Sequence, residues 1–247
     1  MSFIYKAISS TTMGLNIYER SVYHAPAYDV TALQVPGRSG DLLIPNNRYA
    51  NKTITYKGFV NTGAGYTELS AALVALKAWL CSDAGTYHQL HDTYDPLFYR
   101  EAYISGETAV NIVHQSDKGA TVTVTFSAKP FMYESAGISY TITSPGYDVV
   151  NPYKFVALPK MTITMAGAVD LLLISGGVGY TWSIQSYTGD LIVDSEEMDW
   201  YTSTGLMNDK VTASVGNEFP KLYPGTSRIG WDGNVSKIVL NARWRTL

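Results

Sequence analysis

Three segments of this chain alternate apolar and polar side chains with a period of two. In Asn51–Val60, Ile54, Tyr56 and Val60 fall on one face, and Thr53, Thr55 and Lys57 on the other. In Ala120–Lys129, Val122, Val124, Phe126 and Ala128 oppose Thr121, Thr123 and Thr125. In Lys237–Trp244, Ile238, Leu240, Ala242 and Trp244 oppose Lys237, Asn241 and Arg243. A β-strand sends successive side chains to opposite faces, so this pattern marks strands with one face buried. Further strands are expected at Phe3–Ser9, Tyr28–Gln34, Leu97–Ser105, Thr108–His114, Lys160–Met165, Ala168–Ile174 and Val178–Tyr187. The chain therefore reads as mainly β.

One segment has a different period. Thr67–Ser82 sets Leu69, Ala72, Leu73, Leu76, Trp79 and Leu80 three and four residues apart, the stripe of an amphipathic helix that packs on a sheet. Thr67 is the expected N-cap, with Glu68 in the first turn and Gly85 available for the C-terminal cap. Between Pro130 and Pro159 the chain also carries Gly137, Pro145, Gly146 and Pro152. Proline removes a ladder donor, so this stretch reads as punctuation rather than strand. The expected division is a first domain at 1–133, a connector at 134–158 and an all-β second domain at 159–247.

Composition narrows the function. Charged residues make up 16% of the 247-residue chain, below the roughly 25% of an average soluble domain, while 46% is hydrophobic. Part of the polar surface must come from uncharged residues, among them 19 tyrosines, whose apolar body and polar tip suit interfaces. A net charge of −3 argues against a nucleic-acid binder, which needs a basic footprint. No run of apolar residues is long enough to cross a membrane as a helix, and MSFIYKAISS lacks the pattern of a secretory signal. The one cysteine, Cys81, permits no internal disulfide, which fits synthesis and assembly in a reducing cytoplasm.

Residues able to do chemistry are sparse. His88 and His91 stand three apart in a segment that reads as extended, so they point to opposite sides, with no third His or Cys nearby in sequence for a zinc site. The acidic run Asp190, Asp194, Glu196, Glu197 and Asp199 lacks the calcium-loop spacing and reads as a solvated hairpin edge. Its carboxylates are the only support for a cell-wall hydrolase. Ser175-Gly-Gly-Val-Gly179 lacks the Lys-Ser/Thr of a phosphate loop and reads as a β turn. Cys81 reads as a packed small hydrophobe of the helix. The expectation is a non-enzymatic protein without cofactor or metal.

Two segments carry a resemblance. The first is Pro36-Gly-Arg-Ser-Gly-Asp-Leu-Leu-Ile44, followed by Asn47-Arg-Tyr49 and the strand from Lys52 to Phe59. The second is Phe219-Pro-Lys-Leu-Tyr-Pro-Gly225, then Ile229-Gly-Trp231, the stretch from Gly233 to Ile238, and Arg243-Trp-Arg245. Both resemble the distal tail proteins of long-tailed phages that infect Gram-positive bacteria. The middle of the chain matches in character only. The resemblance implies an N-terminal β-sandwich with one packed helix and a C-terminal galectin-like β-sandwich. It also implies a virion subunit at the tail tip, whose N-terminal domains form a hexameric ring. The implied partners are further copies of the chain, the tail-tube protein, a tail-associated hub protein and a receptor-binding protein. DNA only passes through the ring's channel.

Within that picture Arg38, Asp41, Leu42, Leu43, Arg48 and Tyr49 are the candidate subunit-interface residues. A turn at Gly37–Gly40 can present Arg38 and Asp41 at a subunit boundary while Leu42, Leu43 and Ile44 anchor an arm. The alternative is an internal turn with Arg38 paired inside its own subunit. For Phe219–Gly225 the choice lies between a contact loop and packing of the second domain by Phe219, Leu222 and Tyr223. A second function class is a carbohydrate-binding module, with Trp182, Trp200 and Trp231 as exposed platforms for cell-wall sugars.

Overall fold

The structure, a computed structural model, describes residues 1–62, 65–83, 85–104, 106, 109–136, 139–214 and 218–247. The chain divides into two compact units, Met1–Ser135 with the terminal Leu247, and Ala136–Thr246. Both are built mainly of antiparallel strands.

The first unit holds β1 (Phe3–Tyr5), β2 (Ile8–Ser9), β3 (Leu15–Ser21), β4 (Tyr28–Leu33), β5 (Leu42–Tyr49), β6 (Lys52–Asn61), α1 (Leu69–Cys81), β7 (His88–Asp92), β8 (Asp95–Ile104), β9 (Val110–Ser116), β10 (Gly119–Ala128) and β11 (Met132–Glu134). Its main sheet runs β2-β1-β7-β8-β10-β6-β3, with β9 on β10 and β11 on β8. Among the described residues β4 and β5 pair only with each other. The alternation expected in β6 and β10 holds: Ile54, Tyr56, Val60, Val122, Val124, Phe126 and Ala128 are buried. They meet Phe3, Tyr5 and the helix residues Leu69, Ala72, Leu76, Trp79 and Leu80 in one core. Rings of Phe3, Tyr56 and Phe126 lie 4.6 and 5.5 Å apart, and the Trp79 indole N–H donates to the Tyr5 carbonyl at 3.1 Å. Full burial of each large apolar side chain contributes about 1.5–3 kcal/mol.

The element ends depart from the expected positions. The helix begins at Leu69 behind Glu68, which caps it without a side-chain bond, so Thr67 is not the N-cap and Glu68 is not in the first turn. At the C-terminus Ser82 is the cap, and Asp83 takes the first left-handed turn at φ 59°. The Lys6 ammonium donates to the Trp79 and Ser82 carbonyls there, which complements the helix dipole. Phe3–Ser9, expected as one strand, is a tight hairpin with Lys6 and Ala7 both left-handed. Ser105 and Thr108, expected strand ends, lie outside the described residues.

The second unit holds β12 (Ser139–Ile142), β13 (Tyr147–Asn151), β14 (Lys160–Ser175), β15 (Val178–Asp194), β16 (Asp199–Thr202), β17 (Gly205–Leu206), β18 (Val211–Ala213) and β19 (Gly225–Asn241). Its sheet runs β12-β19-β14-β15-β16-β17, with β13 on β19 and β18 on β15. β12 and β13 come from the stretch expected to be a connector. Pro145 falls between them and Pro152 after them, so neither interrupts a ladder. Gly137 lies outside the described residues.

β14, β15 and β19 are far longer than an average strand, and their ladders share one irregular zone near Gly167. Gly167, Gly189 and Gly233 are left-handed there, and the register shifts between Gly167 and Val169. Gly233 has no substitute: a Cβ would sit 2.6 Å from the Ala168 carbonyl oxygen, at a φ of 104°. Across that register shift one face of β14 stays buried from Met161 to Leu173 against a single core that includes Trp182, Leu191, Trp200, Ile238 and Leu240.

Candidate assembly interface

The β4–β5 hairpin carries the resemblance segment and has the least usual surface of the molecule. Its register pairs Leu33 with Leu42, Ala32 with Leu43, Thr31 with Ile44 and Val30 with Pro45. Cross-strand partners share a face, so Leu33, Leu42 and Ile44 line one side and Val30, Ala32, Leu43 and Pro45 the other. Both sides face solvent; Leu43 is 63% exposed and Ile44 46%. A lone two-stranded hairpin is marginal in water, and a contiguous exposed apolar surface marks a contact site.

Polar residues hold the hairpin's own shape. Asp29 on β4 accepts from Arg48 at 2.6 Å and from Asn46 at 2.9 Å on β5. The Asn46 amide and then the Arg48 guanidinium hold the Asp29 carboxyl below the usual carboxylate range. The pair is exposed, so its contribution is small. At the tip, Arg38 donates its backbone N–H to Val35 at 3.1 Å in a turn flanked by left-handed Gly37 and Gly40. Among the described residues neither the Arg38 nor the Asp41 side chain has a hydrogen bond or ion pair within the chain. The internal-turn alternative for Arg38 therefore lacks its pairing. Leu42 and Leu43 open β5, whereas Arg48 and Tyr49 stand at its root, with Arg48 committed to Asp29.

The root is packed. Tyr28 and Tyr49 rings meet edge-on at 5.0 Å, and Tyr49 meets Phe131 at 5.7 Å. Ala50 donates its N–H to Ala27 at 2.8 Å. Below this, the Lys52 ammonium donates to the Val22 carbonyl at 3.0 Å and the His24 carbonyl at 3.2 Å. Lys52 is 6% exposed. Sequence reading passed over it, although it shares the parity of Ile54 and Tyr56 and so faces the core.

The other candidates sit elsewhere. Trp182 and Trp200 are 1% and 3% exposed and belong to the core of the second unit. Tyr180 stacks on Trp182 and Phe219 on Trp200, so neither indole is an open stacking platform. Trp231 is half-buried against the same core. A cleft of about 300 Å³ runs beside the two buried tryptophans, bordered by Met198, Asn208, Glu218 and Phe219. Asn208 is already engaged there by the Trp200 N–H and by Asp199.

The acidic run is not a solvated edge throughout. Asp194 is fully buried and receives both Arg243 guanidinium nitrogens, at 2.5 and 2.8 Å, together with the N–H groups of Glu196 and Glu197. Burial pushes its carboxyl up, but Arg243 and the two N–H groups outweigh it and hold the group below the usual range. Leu222 exchanges two backbone hydrogen bonds with Ala157 and is buried, so Phe219–Gly225 packs the second unit. His88 and His91 lie on β7, an extended strand; His91 tilts against Tyr99 and burial lowers its pKa.

No protein-family model matches the chain, and no curated protein matches it. Among solved structures it is similar to the crystal structure of the Dit protein of phage SPP1, described as a paradigm of the hub adsorption apparatus in phages that infect Gram-positive bacteria. The TM-score is 0.73 at 14% identity, over 100% of this chain and 99% of that one. The chain thus has a Dit-like fold along its whole length.

Proposed function

We propose that this chain is a non-enzymatic structural subunit of a phage tail tip. Its first unit assembles with further copies into a closed hexameric ring that joins the tail tube to the hub and receptor-binding apparatus, and DNA passes through the channel. The observation that carries this reading is the β4–β5 hairpin, apolar on both faces and packed on neither. A ring closes through heterologous contacts, in which one patch of a subunit meets a different patch of the next. A hairpin that cannot bury its leucines at home supplies one such patch, and closure adds weak contacts through effective concentration. The full-length likeness to the SPP1 hub protein supports the setting. The sugar-binding reading has no comparable support, because Trp182 and Trp200 are covered.

Light scattering coupled to size exclusion, with negative-stain imaging of the purified chain, tests this. The expected result is a species of six chains with a central hole. A monomer at the highest attainable concentration, with no ring in the images, overturns it.

A further inference from the structure

The β3–β6 ladder ends at the pair Ser21–Thr55. Beyond it the incoming chain, residues 22–27, is irregular until β4 begins at Tyr28. Irregular backbone that leaves a sheet has carbonyls with no ladder partner, and their hydrogen bonds must go somewhere. Two of them, on Val22 and His24, are taken by Lys52 at the first position of β6. Val22 and Pro26 are buried while Tyr23, His24, Ala25 and Ala27 are exposed, so the joint runs along the surface and is anchored at two points.

Lysine is a costly choice for such a place. An ammonium loses hydration on burial, and an apolar side chain of similar length avoids that loss. Among the described residues no carboxylate pairs with it. What the ammonium alone supplies is a set of donors on a long stem, able to hold two carbonyls of the incoming chain at once.

We propose that Lys52 is the positioning residue of the arm: it takes over where the ladder stops, ties the incoming root to β6, and sets the direction in which the β4–β5 hairpin leaves the first unit. The other root contacts, Ala50 with Ala27 and Tyr28 with Tyr49, join the two arm strands to each other. They fix the hairpin's width; on the outgoing side Tyr49 packs on Phe131 and Asn51 donates to Tyr87 and Ser127, and on the incoming side Lys52 sets the bearing on the sheet. The consequence for assembly rests on the reading of the hairpin as the ring contact: an arm held in one direction loses less freedom on docking than a swinging one.

The test measures arm direction and assembly separately. In a Cys81→Ser background, spin labels are placed at Ser39→Cys on the arm tip and Val74→Cys on the exposed face of α1. The full-length chain is measured by pulsed electron resonance, diluted in excess unlabelled chain. With Lys52 the tip-to-helix distances should form one narrow distribution. With Lys52→Met the distribution should broaden at least about twofold, while far-UV circular dichroism stays unchanged and half-assembly needs roughly tenfold more protein. Lys52→Arg, which keeps the charged donors, should restore part of the narrowing. An unchanged distribution in Lys52→Met overturns the proposal. So does a broad distribution in the Lys52 chain itself, which requires no variant to fold. The label distances decide the role of Lys52 even if no ring forms; ring formation decides the assembly reading.

Discussion

Two hairpins of this chain are built from the same kinds of residue and end in opposite states. β14–β15 pairs Leu171 with Trp182 and Leu173 with Tyr180, and its odd-numbered side chains are buried along β14. β4–β5 pairs Leu33 with Leu42 and Ala32 with Leu43, and all four stay exposed. Strand propensity is high in both, so propensity does not separate them. What separates them is whether the chain contains the surface that covers their apolar faces. β14 is flanked by β15 and β19 and faces one core. Among the described residues the β4–β5 pair has neither, and in the proposed assembly a neighbouring subunit supplies the cover.

This contrast can be broken from either side. The largest effects on folding are expected in the second unit. Trp182→Ala should cost about 3–5 kcal/mol, the usual range for emptying a packed aromatic site. Arg243→Ala should cost somewhat less, about 2–4 kcal/mol, because it removes the bidentate partner of the buried Asp194 carboxylate and leaves Lys160 at 3.5 Å and two backbone N–H groups. Denaturant unfolding of each variant checks both, and a loss below about 1 kcal/mol would show that β15 is not anchored as described. Gly233→Ala comes next, at about 1–3 kcal/mol, since that residue is held in a left-handed conformation against the Ala168 carbonyl.

A smaller effect follows pH. Burial, helped by the nearby Arg100 guanidinium, pushes Lys52 down to about 8. The unfolded chain keeps this proton up to the ordinary lysine value of about 10.4. From about pH 8 to 10 the unfolded state therefore binds more protons, and stability of the first unit should rise with pH. Above about 10 the buried Tyr5 and Tyr56 act in reverse: burial raises both, so the unfolded chain gives up their protons first and stability falls. Thermal midpoints across this range should rise in the Lys52 chain and lose that rise in Lys52→Met. Parallel curves would contradict the buried ammonium.

The smallest folding effect belongs to the arm. Leu43→Asp should change subunit stability by no more than about 0.5 kcal/mol, as for other exposed positions. A larger loss, read by denaturant titration at monomer concentration, would mean that the hairpin is packed within its own subunit after all.

How far the sequence carried this picture differs by element. The alternation in β6 and β10 and the three-four spacing of α1 identified core-facing residues because one period reports one buried face. The same alternation could not say which tryptophans are covered. Trp182 lies in a strand by pattern, but its burial depends on β18, Trp200 and the Glu218 carbonyl that takes its indole N–H, all remote in sequence. Asp194 looked solvated because its partner, Arg243, stands 49 residues away. The Lys6–Ala7 turn was missed because neither residue advertises a left-handed conformation. The arm was found through the Pro36–Ile44 resemblance, and its isolation became visible only when no neighbour covered Leu42–Ile44.

The most direct measurement is sedimentation velocity on the full-length chain beside a Leu42→Asp, Leu43→Asp double variant. If the exposed hairpin is the assembly contact, the unsubstituted chain should sediment as a hexamer and the variant as a folded monomer at the same concentration. A variant that still sediments with the parent, or a parent that never exceeds one subunit, would contradict it.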